Sequence, residues 1–128
     1  MPGRYNDQQR VTFYALMGDL QRLASRLHLE ITDFVLLAEV AAGDTEGRPW
    51  NSTALALHLG LPRQTIARKL DFLCTGGYMA RVRQGRRVVF IRTDDGIRYW
   101  RPIAHDMIDR IIKYVRTEHL TPQNKHED

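Results

Sequence analysis

The chain of 128 residues has one cysteine, Cys74, so no intrachain disulfide can form and no multi-cysteine zinc site can be built. Its folding rests on packing. Long apolar runs are also missing. The longest stretch, Phe34 to Ala42, is interrupted by Glu39 and falls far short of the roughly 20 residues that cross a bilayer. The opening residues, Met1 to Arg10, lack the apolar centre of a secretory signal, and the expectation is a cytoplasmic protein with no membrane partner. No nucleophile motif, phosphate-binding glycine loop or pair of catalytic carboxylates can be found, so no enzyme and no cofactor are expected. His105 and Asp109 stand one helical turn apart, as metal ligands can, but no third ligand accompanies them and no metal site is expected.

What is present suits a compact protein. Apolar residues make up 43% of the chain and charged ones 27%, enough to build a core. The net charge of +4 is unevenly spread. Residues 51–92 carry eight Lys and Arg against one acid, whereas residues 1–50 and 93–128 are each slightly acidic. Of the 19 basic residues 16 are arginine, whose planar fork matches phosphates and guanine edges better than the lysine ammonium does. A basic central third is the footprint of a phosphate backbone, and also of a plainly solvated face. Local order has to decide between them.

Phe13, Leu16, Met17, Leu20, Leu23, Ala24 and Leu27 recur at helical spacing and define an amphipathic first helix from about Asn6 to His28. Thr32 is the expected N-cap of a second helix, with Gly43 as its end and a turn-rich loop to Pro49. Asn51 to Gly60 forms a short capped helix closed by glycine. Pro62 heads the next one, which has Ile66, Leu70, Leu73 and Cys74 on its apolar face. Tyr78 to Arg83 and Arg87 to Arg92 predict a β-hairpin turning around Gln84-Gly85-Arg86. Thr93 caps a last helix from Asp94 to about Glu118, which Pro102 is expected to kink or split. Thr121 to Asp128 form a polar tail, expected to be disordered.

Helix, tight turn, helix and hairpin in this order make a winged helix-turn-helix, in a mainly α fold with a small β wing. Ala56, Gly60 and Ile66 serve it sterically. They let the helices approach, permit positive φ in the turn and fill the crossing, respectively. With Ile66 at zero on a wheel of about 100° per residue, Gln64 and Arg68 point the opposite way, and Arg63 lies in the first turn. Arg63, Gln64 and Arg68 are candidates for base edges in double-stranded DNA, Thr65 and Lys69 for phosphates. Arg83, Arg86 and Arg87 would place three positive charges at the tip of a ribbon thin enough for a minor groove. Ser52 and Thr53 are either helix caps or donors to a phosphate.

The segment Asn51 to Gly96 resembles the MarR (multiple antibiotic resistance regulator) family. The resemblance runs through Leu55 to Leu61, Pro62 to Leu70, Gly77 to Arg81, the wing arginines and Thr93-Asp94-Asp95-Gly96. It implies a homodimeric transcription regulator whose terminal helices, residues 6–42 and 93–118, form the dimerisation region of a single domain. Recognition helices 62–75 would enter successive major grooves and wings 83–87 the minor groove, with a small-molecule effector bound between the regions as in many relatives. The wing departs from the family pattern, running Arg83-Gln84-Gly85-Arg86-Arg87 without the usual acidic residue before its arginine.

A different reading is a winged-helix interaction module whose basic face docks an acidic protein. Clustering of arginine on both the helix and the wing favours DNA. Single-stranded binding would call for exposed aromatic platforms that are not evident. Cys74 could act as a redox sensor, but its place on the apolar face favours a buried structural thiol. Tyr5, Tyr14, Tyr99 and Trp100 are expected in core or interface, with an aromatic effector pocket as the alternative.

Overall fold

The computed structural model describes residues 4–116. The expected end of the last helix at Glu118 and the tail 121–128 lie outside them. Five helices and one hairpin follow in the order α1 (Asp7–Arg26), α2 (Ile31–Thr45), α3 (Ser52–Leu59), α4 (Arg63–Thr75), β1 (Met79–Gln84), β2 (Arg87–Arg92) and α5 (Asp94–Arg116). The chain divides into two compact units, a central one of Leu29–Arg101 and a terminal one of residues 4–28 with 102–116. Among the described residues no helix is long and apolar enough to cross a membrane.

In the central unit α2 is the buried element. Phe34, Leu36, Leu37 and Val40 pack with Leu55, Ile66, Leu70, Leu73, Met79, Val89 and Phe90 into one apolar core. The helix departs from expectation at both ends. Its N-cap is Glu30 rather than Thr32, and the Asp33 carboxylate accepts the Glu30 backbone N–H at 3.3 Å, closing the first turn. At the other end it runs through Gly43 to Thr45, and Gly47, at φ 73°, follows its end. Gly43 is there for space. A Cβ on it would lie 2.8 Å from the Arg48 carbonyl oxygen and 2.9 Å from Trp50 Cδ1.

The turn between α3 and α4 forms as the sequence predicts. Asn51 Oδ1 accepts the Ala54 N–H at 2.7 Å, Gly60 closes α3 in the left-handed region at φ 67°, and the Leu61 N–H reaches back to the Ala56 carbonyl. Pro62 sits at the N-cap of α4, one residue before its first turn. The hairpin pairs Met79 with Arg92 through to Gln84 with Arg87. Its loop is therefore the two residues Gly85 and Arg86, with positive φ at Gly85 as a type II′ turn requires. Thr93 caps α5 as expected: its Oγ1 accepts the Gly96 N–H at 2.9 Å and donates to the Gly77 carbonyl at 2.5 Å. The helix continues unsplit through Pro102, where the boundary between the two units falls.

The terminal unit buries Leu16, Leu23, Ala24, Leu27 and Ile103. Its buried carboxylate, Asp19, pairs with Arg110 at 3.1 Å and accepts hydrogen bonds from Tyr114 at 3.3 Å and from Arg22. Asp106 takes Arg26 at 2.9 Å and Arg110 at 3.2 Å, and these two guanidinium groups hold its carboxyl below the usual range. The predicted stripe of α1 is only partly buried. Phe13 and Met17 stay exposed beside Val11 and Tyr14, and so do Ile108, Ile111, Ile112 and Val115 of α5.

Candidate nucleic-acid interface

Helix α4 exists because Ile66, Leu70 and Leu73 recur on one face and are fully buried. That anchoring turns Arg63, Gln64 and Arg68 to solvent, as the wheel predicts, with Thr65 half-buried on the flank. Arg63 reaches back to α3, donating to Thr53 Oγ1 at 3.2 Å, so the first turns of the two helices share one polar edge. Ser52 and Thr53 lie in the first turn of α3, behind the Asn51 cap. The capping bond belongs to Asn51, which leaves the hydroxyls of both residues outside that role.

The ion pairs sort the eight basic residues of the segment 51–92. Arg81 bridges Asp71 on α4 and also lies 5.7 Å from the Phe90 ring centroid. Arg92 holds Asp44 at 3.1 Å and Thr45 at 3.0 Å. Lys69 sits between Glu30 at 3.1 Å and Asp33 at 3.2 Å, with its side chain only 14% exposed. Burial lowers its pKa, but the two carboxylates outweigh that and leave it above the ordinary lysine value. The sequence offered Lys69 as a phosphate contact. The fold instead directs its charge at the start of α2, a partner 36 and 39 residues away that spacing could not reveal.

Five basic residues remain without an acidic partner among the described residues: Arg63, Arg68, Arg83, Arg86 and Arg87. All five are exposed. They come from the exposed face of α4 and from the tip of the hairpin, the two places where the sequence put its candidate contacts. A guanidinium left unpaired and solvated is a set of donors ready for phosphate oxygens or base edges.

Other candidates separate. Cys74 is half-buried, less than the sequence suggested, and burial pushes its thiol above the ordinary range, away from the thiolate a sensor needs. Among the described residues no cluster of three or more His, Cys, Asp and Glu is placed to hold a metal ion. Tyr5 and Tyr14 line a hollow of about 430 Å³ with Gln9, Arg10 and Phe13 in the terminal unit. In the central unit Trp100 tilts against Phe34 at 4.9 Å and Tyr99 meets Tyr78 edge-on at 5.9 Å. The sequence reading missed one cluster, in which His58 stacks on Trp50 at 4.9 Å and points Nε2 at Glu39, 3.4 Å away. Only the turn residues around Trp50 hinted at it.

No family model and no curated protein matches the chain. Its fold, in contrast, is shared with solved structures, several of them of MarR family regulators. A mutant of S. aureus MepR bound to an oligodeoxyribonucleotide superposes with a TM-score of 0.70 at 15% identity, over 92% of this chain and 83% of that one. AbsC, a MarR family transcriptional regulator from Streptomyces coelicolor, gives 0.63 at 14% identity over 80% and 70%. A MarR family protein of Mycobacterium tuberculosis in complex with p-aminosalicylic acid gives 0.60 at 19% over 83% and 79%. The chain therefore has the winged helix-turn-helix fold of MarR family regulators. At these identities the likeness carries the fold, and function has to be argued from the site.

Proposed function

We propose that this protein is a sequence-specific, homodimeric DNA-binding transcription regulator of the MarR type, a repressor that acts by covering promoter DNA. The observation that carries this reading is the sorting of the central arginines: the fold consumes Lys69, Arg81 and Arg92 in ion pairs and leaves Arg63, Arg68, Arg83, Arg86 and Arg87 to solvent. In this reading α4 lies in the major groove, with Arg63, Gln64 and Arg68 at base edges. The wing arginines enter the minor groove, while Ser52, Thr53 and Thr65 meet phosphates. Lys69 drops out of the contact set. A solved neighbour bound to an oligodeoxyribonucleotide is a precedent for DNA as the ligand.

The dimer reading rests on the terminal unit. Val11, Phe13, Tyr14 and Met17 of α1, with Ile108, Ile111, Ile112 and Val115 of α5, are large apolar side chains left exposed on the two terminal helices. A second copy would cover them, as closed two-fold dimers do. An aromatic effector fits the hollow lined by Tyr5, Phe13 and Tyr14, and a neighbour in complex with p-aminosalicylic acid is a precedent for that ligand class.

The test is selection of genomic fragments by the purified protein at about 150 mM salt, near physiological ionic strength, with light scattering on the same sample. One palindrome recovered by a dimer, with half-sites about one helical turn apart, is the expected result. Sequence-blind binding that vanishes with salt, or none, overturns the reading and turns the search to acidic protein partners.

A further inference from the structure

Lys69 follows Arg68 on α4, yet its ammonium turns inward to the start of α2. Two carboxylates take it, Asp33 at 3.2 Å and Glu30 at 3.1 Å. Asp33 is itself buried, its side chain only 6% exposed, and its other oxygen accepts the Glu30 backbone N–H at 3.3 Å. One carboxylate therefore fixes the first turn of α2 and holds the lysine of α4. A semi-buried charge pair of this kind adds little net stability, because desolvating both ions offsets their attraction. It is demanding in geometry, however, since either ion left alone is costly. Apolar contacts at Ile66, Leu70 and Leu73 fix the buried face of α4 but tolerate rotation and slide better than a directed hydrogen bond does.

Resting on the DNA-binding reading above, we propose that Lys69 and Asp33 are positioning residues for sequence recognition: their half-buried ion pair sets the rotation of α4 about its axis, and so where Gln64 and Arg68 meet the base edges. Neither residue touches DNA. Readout of a base edge needs placement within a fraction of an ångström, whereas attraction to phosphates does not. Loss of the pair should therefore weaken specific binding far more than non-specific binding.

The experiment compares the wild type with K69M, K69R, D33N and the K69M/D33N double variant. Each is titrated against the duplex recovered by genomic selection and a random duplex of equal length, over a range of salt. K69M keeps the length and removes the charge. The expected result is an affinity for the selected duplex about tenfold lower in K69M and in D33N, within the range that an interaction between contacting residues is worth. Affinity for the random duplex stays within about twofold and the salt slope is unchanged. The double variant loses no more than the worse single one, and K69R, which keeps the charge, recovers most of the loss. A salt slope that falls by about 1 on both duplexes in K69M makes Lys69 a phosphate contact and overturns the proposal. Folded K69M and D33N that bind as wild type does also overturn it, and leave the regulator reading standing. If K69M does not fold, D33N and K69R decide by the same criteria. A wild type that binds neither duplex removes both readings together.

Discussion

The two units of this chain leave opposite kinds of group unsatisfied. In the terminal unit Arg10, Arg22, Arg26 and Arg110 each hold a carboxylate, and the exposed surplus is apolar: Phe13, Tyr14, Ile108, Ile112 and their neighbours. In the central unit most large apolar residues are buried in one core, with Leu57, Phe72, Val88 and Tyr99 left exposed, and the surplus charge at the surface is arginine. A surface is informative where it leaves undone what the rest of the molecule does. An apolar excess calls for another apolar surface and a guanidinium excess for phosphate, so the proposed self-association face and the proposed nucleic-acid face would be kept apart by their chemistry.

The sharpest way to break this contrast is to remove the surplus charge. Replacing Arg83, Arg86 and Arg87 together with alanine should lower affinity for any duplex by about a hundredfold or more at about 150 mM salt and reduce the salt slope by about 2–3, since each neutralised phosphate contributes nearly one. Melting should stay within about 1 kcal/mol of wild type, because none of the three supports the core. Arg68→Ala offers a finer cut, costing about 1–3 kcal/mol at a single base position if its guanidinium reads an edge. A uniform loss across all sequences would make it a phosphate contact instead.

The matching change in the terminal unit is Ile111→Asp on the exposed face of α5. A carboxylate forced into an apolar interface without a partner costs on the order of 3 kcal/mol. Light scattering should then fall from the dimer mass to the monomer mass while the circular dichroism of the helices is kept. An unchanged mass would move the interface elsewhere.

A third substitution tests the frame that carries the arginines. A Cβ on Gly96 would collide with the Tyr78 carbonyl oxygen, and backbone on both sides cannot swing away. Gly96→Ala should cost about 2–3 kcal/mol of stability, the upper part of the range for overpacking, read as a lower denaturant midpoint. Gly96 also shows what the sequence could tell. Local chemistry was legible: the Asn51 cap, the Gly60 turn, the Gly85 loop and the Thr93 cap all lie within a few residues of the groups they satisfy. Contacts between distant segments were not. Gly43 was read as a helix stop because glycine usually is one, whereas here it makes room for Trp50, and Lys69 was read as a phosphate contact because nothing nearby in the chain announces Glu30 and Asp33. The exposure of the candidate arginines was legible because they form no ion pair with a distant segment among the described residues.

The smallest effects separate the units by pH. Asp106, in the terminal unit, has its carboxyl held low by Arg110 and Arg26. Its folded pKa lies below the unfolded value of about 3.9, so its contribution is complete above that pH and is lost as the pH falls through the folded value. Lys69, in the central unit, is shifted the other way: burial lowers its pKa, but Glu30 and Asp33 more than compensate. Its contribution is complete below about pH 10.4, the unfolded lysine value, and is lost as the pH rises through the folded one. Acid should thus weaken the terminal unit through Asp106 and alkali the central unit through Lys69. Melting temperatures measured from pH 2 to 12 should show an acid shoulder reduced by Asp106→Asn alone and an alkaline one reduced by Lys69→Met alone. If Asp106→Asn flattened the alkaline limb as well, the two charge systems would be a single one, and the proposed division of labour between the units would lose its electrostatic basis.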